Sequence, residues 1–171
     1  MNDTYSTKVI SKLRSLGAYQ IFGGSIGCLL VIWAILNNQT IDLSFFIYGF
    51  MVLFFAFSIY CGILCFKIKI IAVKLSLINQ VLQVIGVAML GFTFKYAAGV
   101  YVTAGINLSE AFNFTFSAGF SRFDFAFNTD HHRLEVDLNF VALPLIIFIE
   151  RLKNHIKQEQ NKLVISAIGE E

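Results

Sequence analysis

The sequence predicts a membrane all-α bundle of four transmembrane helices with a small extracytoplasmic antiparallel β-meander, α+β overall, in one domain over residues 1–171. Three observations carry that expectation. The chain is 57% hydrophobic and 14% charged, with 19 phenylalanines; a soluble domain carries roughly 25% charged residues, so much of this surface must face something apolar. Apolar runs recur at lengths close to those a bilayer requires. Lysines and arginines gather beside those runs rather than within them.

The first run, residues 16–36, is long enough at 1.5 Å per residue to cross roughly 30 Å of hydrocarbon. A signal peptide with Lys8, Lys12 and Arg14 as its basic region competes. Its apolar core would be shorter and would end at a small-residue cleavage site. The second run, residues 44–66, is apolar all round, unlike an amphipathic surface helix. The third, residues 75–94, carries polar residues early. The fourth, residues 138–152, is short for a span and contains Pro144; a re-entrant or interfacial segment is its alternative.

With both termini cytoplasmic, ten of the thirteen basic residues fall on the cytoplasmic side: Lys8, Lys12, Arg14, Lys67, Lys69, Lys74, Arg151, Lys153, Lys157 and Lys162. That is the positive-inside pattern of a multi-pass protein of the plasma or bacterial inner membrane. Membrane lipid is therefore an expected partner. The net charge of +2 gives no reason to expect nucleic acid.

Between the third and fourth runs the text changes. Phe112–Phe116, Phe123–Phe127 and Leu134–Leu138 alternate apolar and polar residues, the period of half-buried strands. Ser117-Ala118-Gly119 and residues 128–132 read as turns. The expectation is a meander over residues 111–138 on the outer side. Phe114, Phe116, Phe123 and Phe125 would share one covered face, and Phe112 and Phe127 would extend the row. Such a small sheet cannot bury its own face, so helix ends, interface lipid, a protein partner or a second copy must cover it. Tyr96–Leu108 stays open between helix extension, interfacial segment and further strand.

Two seams of small and polar residues mark helix packing. Gly23 to Gly27 is a G-x-x-x-G, and Gln20, Gly24 and Gly27 lie on one face of the first helix. Ser76, Asn79, Gln83 and Gly86 recur at spacings of three and four on the third. The seams are expected to pack together, with Gln20 near Asn79 and Gln83. Buried amides need partners; they serve either as interhelical glue or as a polar path for a solute.

No constellation places a nucleophile beside a base, and no phosphate loop follows the glycines, so no enzyme and no cofactor is expected. Cys28, Cys61 and Cys65 read as small packed hydrophobes. Asp130-His131-His132 lacks a fixed third ligand and reads as a solvated turn rather than a metal site. Three Asn-x-Ser/Thr triplets begin at Asn38, Asn107 and Asn113. The first expectation is a non-enzymatic accessory or interaction protein presenting an outer β-module. The second is a subunit of an oligomeric channel or small-solute transporter.

Overall fold

Unbroken apolar text makes the two longest helices, and small residues along one side of the first let them touch. The computed structural model describes residues 5–37, 44–109, 112–127 and 134–168. In chain order these form α1 (Thr7–Asn37), α2 (Ser44–Phe66), α3 (Ile70–Val81), β1 (Ile85–Met89), β2 (Phe92–Asn107), β3 (Asn113–Ala126), β4 (Glu135–Asn139) and α4 (Ala142–Ile168). Four helices and one antiparallel four-stranded sheet make the protein α+β.

Two helices, α1 and α2, are long and apolar enough to cross a membrane, with mean hydropathies of 1.8 and 2.3. Only 28% and 33% of their apolar windows are buried within the chain. Trp33, Phe46 and Leu53 are among the rings and branches left outside. Gly24 and Gly27 make the contact between the two: a Cβ on Gly24 would lie 2.7 Å from the Phe55 carbonyl, and one on Gly27 would enter the Phe55 ring. Gly23, expected on the same helix–helix seam, instead lies against the backbone of Ala98 and Gly99 in β2.

The third span is corrected. Residues 75–94 begin as α3, which stops at Val81, and continue as β1 and the start of β2. Val84-Ile85-Gly86-Val87 mixes β-branched residues with a glycine, which favours extended chain over helix. Leu90 and Gly91, with φ of 52° and 79°, form the two-residue turn whose twist suits a hairpin. The fourth apolar run is corrected too. Its first residues belong to β4, and α4 runs from Ala142 to Ile168, far into polar sequence. Ile149, Leu152 and Ile156 are buried, at helical spacing, against Val9, Leu13, Leu16, Ala72 and Val73. Pro144 sits in the first turn, where no intrahelical N–H is required of it.

The meander is also corrected. Residues 113–126 are one strand, not two, because Ser117-Ala118-Gly119 stays extended opposite Tyr101, Val102 and Thr103. The sheet order is β1-β4-β2-β3, and β1 also pairs with β2. So β1, β2 and β4 are mutually antiparallel. Three straight strands cannot all be antiparallel to one another; β2 must bend. It does so between Ala97 and Val100, where the register with β3 shifts. Gly99 has φ 110° and Ser121 has φ 50° at that bend. Asn38-Gln39-Thr40 and Asp130-His131-His132 lie outside the described residues.

Candidate functional site

Directly paired residues of antiparallel strands share a face, so the register sorts the bent sheet into an inside and an outside. One row across it is Gly86, Asp137, Gly105 and Thr115. The next row is Ile85, Leu138, Ala104 and Phe116, followed by Val87, Val136, Ile106 and Phe114. Polar rows turn inward and apolar rows outward, the reverse of a soluble barrel.

The inside is charged. The Lys95 Nζ lies 2.6 Å from Glu135 Oε1 and 2.6 Å from Asp137 Oδ2, with all three residues buried. Gly86 leaves room for the lysine stem, whose Cγ stands 3.0 Å from where a Cβ would be. Thr115 Oγ1 donates to Asp137 Oδ1 at 3.0 Å. Arg122 pairs with Asp124, Nε to Oδ2 at 2.6 Å. Gln83, Lys95, Thr103, Arg122, Asp137 and Asn139 line a cavity of about 20 Å³ beside the ion cluster, room for a single water. Buried charges of this kind persist only when paired and hydrogen-bonded. A triad so closed holds strands together well and leaves little space for a substrate.

The outside is aromatic, and only part of it is covered. Phe123 and Phe125 pack on α2: Phe123 lies 5.5 Å from Phe54, and Phe125 lies 5.1 Å from Phe50, centroid to centroid. Phe114 and Phe116 are 80% and 75% exposed, and Phe112, Phe120 and Phe127 are exposed as well. Within the chain, then, α2 covers Phe123 and Phe125 and leaves Phe114 and Phe116 open, so one element does not cover all four rings. The bend at Ser121 divides the strand. Its C-terminal half rests on α2, while its N-terminal half swings clear of the helices.

The polar seam joins the helices to this sheet. Ser76 Oγ donates to Gln20 Oε1 at 3.0 Å, so α1 does meet α3 through Gln20, one turn below Asn79. Ser58 of α2, unforeseen from the sequence, stands between Gln20 and Asn79. Its hydroxyl donates to the Gln20 carbonyl and accepts from Asn79 Nδ2, both at 3.1 Å. A lone serine inside a long apolar run was the available signal. The Tyr96 hydroxyl lies 3.0 Å from both Asn79 Oδ1 and the Phe54 carbonyl. Burial pushes its pKa up, so it stays a donor. Gln83 Oε1 accepts from the Ala98 amide at 2.9 Å. Ser121 Oγ accepts from the Gly99 amide and donates to the Gly23 carbonyl, at 3.1 and 2.8 Å. Gly86, expected on this helical seam, lies in β1 under Lys95.

These bonds place the sheet against the middle of α1 and α2, not beyond their ends. Phe54, Phe55 and Gly23 are interior residues of their helices. No protein family matches this chain, and neither does any curated protein or solved structure.

Proposed function

We propose that this is a non-enzymatic, membrane-anchored interaction protein, in which the α1–α2 hairpin crosses the bilayer and the bent sheet carries the docking surface. The observation that carries the reading is the inversion of the sheet. Its polar rows enclose the Lys95 triad and its apolar rows face outward, ending in the exposed rings of Phe114 and Phe116. Apolar-out, polar-in alternation is the pattern of strands that face lipid. Exposed apolar patches of this size mark contacts with membrane or protein.

The orientation proposed is both termini cytoplasmic. The basic residues in the first turns of α1 (Lys8, Lys12 and Arg14) and after α2 (Lys67 and Lys69) support it. Phe125 meets Phe50 near the N-terminal end of α2, which supports placing the tip of the sheet toward the outer leaflet. The transporter reading is the weaker one. The amides of Asn79 and Gln83 and the Oε1 of Gln20 are spent on bonds between side chains and backbone, which favours glue over a solute path.

The test is cross-linking in intact membranes followed by affinity purification. Wild type is expected to resist carbonate extraction and to form a cross-linked adduct, and Phe114→Asp to keep the first property and lose the second. Release of the wild type by carbonate, or adducts indifferent to Phe114→Asp, would overturn the reading.

A further inference from the structure

The identity of the docked partner can be narrowed. We infer that it is a second copy of this chain, paired antiparallel along the free edge of β3; this deepens the interaction reading above and rests on it. β3 ends the sheet order, and over Asn113–Ala126 it is paired with β2 alone. Among the described residues no backbone group bonds its other edge. From Asn113 to Ser121 the strand contains no charged residue and no proline. Proteins that must keep an edge strand unpaired place such residues there. This edge has none of those protections, and the same stretch exposes Phe114, Phe116 and Phe120, at 80%, 75% and 59%.

The stretch is complementary to itself. Antiparallel pairing about a twofold at Ser117 sets Phe114 opposite Phe120 of the second copy, twice. Phe116 then falls opposite Ala118 of the second copy, a large side chain beside a small one. Aromatic cross-strand pairs stabilise a sheet, and the absence of charge means no like charges meet at the axis. The contact is isologous and closes on itself, giving a dimer rather than a fibre. Past Ser121 the strand is drawn onto α1 through the Gly23 carbonyl, which confines the pairing to residues 113–120. The sheet lies beside the middle of the spanning hairpin, where an unpaired edge is costly because its backbone groups find no water to bond. Joining two edges removes that cost in both copies at once.

The experiment places a cysteine at the axis. S117C, oxidised in native membranes, is expected to give a disulfide-linked dimer. The parent carries Cys28→Ser, because Cys28 is half-buried whereas Cys61 and Cys65 are buried; that parent, and Lys153→Cys on the exposed side of α4, are expected to give none. Adding Phe116→Asp should abolish the S117C dimer while the protein still resists carbonate extraction, because the ring is mostly exposed within its own chain. Failure of S117C to cross-link, with a monomer mass in detergent and in nanodiscs, would overturn the proposal. Two further arms then separate its failure from that of the broader reading. A cross-linked adduct with a different protein, lost in Phe114→Asp, would end the dimer and keep the docking surface. Quenching of Phe116→Trp in a Trp33→Phe background by brominated lipid, with no adduct, would end both.

Discussion

Thr115 and Asp137 are joined by a 3.0 Å hydrogen bond that passes over Gly105, the residue paired with both of them. The bond crosses a whole strand because the strand between carries no side chain there. A Cβ on Gly105 would overlap Asp137 Oδ1 and the Val136 carbonyl. Gly105→Ala is expected to cost about 2–3 kcal/mol by overpacking, and to do so through displacement of Asp137. Thr115→Val should cost less than half as much, at about 1 kcal/mol for the lost bond. Thermal unfolding in detergent would show the order; equal losses would mean the glycine is not what lets the two side chains meet.

Lys95 supports two buried carboxylates, so its removal is expected to be the most harmful single change inside the sheet. Lys95→Met removes the cation that Glu135 and Asp137 share and should cost about 3–5 kcal/mol. Asp137→Asn retains the Glu135 pair and should cost less. The double variant Lys95→Met with Asp137→Leu should recover part of the loss of Lys95→Met alone. Additive losses would show that the charges do not act as one cluster.

Gly27 faces the Phe55 ring, whereas Leu30 is 44% exposed. Gly27→Leu must push α1 and α2 apart and is expected to lower the thermal midpoint more than Leu30→Ala. Equal or milder loss for Gly27→Leu would mean that the helices are not held in contact at this seam.

α4 meets the start of α1 at Glu159, which accepts the Ser6 amide at 3.0 Å and the Ser6 hydroxyl at 2.5 Å. The two bonds, hydroxyl first, hold its carboxyl below the ordinary value. A depressed carboxylate contributes stability above its ordinary pKa and loses it as pH falls through the lowered folded value. Docking of the first turn of α1 on α4 is therefore expected to be constant from pH 7 to about 5, then to loosen in acid below about pH 4. Hydrogen exchange of the amides at 6–10, corrected for intrinsic rates, would report it. In Glu159→Gln the acid-dependent step should vanish.

The legibility of the fold divides at Leu82. Before it, each helix is written locally: α1 and α2 as unbroken apolar text, and the packed side of α1 as Gln20, Gly24 and Gly27 at helical spacing. Ser76, Asn79 and Gln83 keep that spacing: Ser76 bonds Gln20 directly, Asn79 meets it through the unforeseen Ser58, and Gln83 reaches the Asn79 carbonyl and the Ala98 amide instead. After it, the same spacing still reads as helix through Gly86, yet the chain becomes β1. The β-branched text around Gly86 favours the switch, but the partners that fix it are not local. β1 gains its partners from Val87 to Phe94 across a tight turn and from Ile85 to Leu138 across more than fifty residues.

The phenylalanines show the same division. By itself the sequence determined that residues 112–116 and 123–127 alternate and are extended, because a period of two needs no partner to be seen; the turn it read at 117–119 is strand instead. It also marked residues 16–36 and 44–66 as apolar enough for a bilayer, since that depends on composition alone, but it added two further spans that the fold divides between helix and strand. Only the tertiary structure decided that the Phe positions, even to Phe120 and odd from Phe123, belong to one strand. The αR-forbidden φ of Ser121 absorbs the odd residue, and its hydroxyl is held by the Gly23 carbonyl ninety-eight positions away. Only the fold, likewise, turned Lys95, Glu135 and Asp137 inward together. A charge buried in the interior of a sheet is stable where its counter-charges arrive, and those come from a strand whose position no local pattern records.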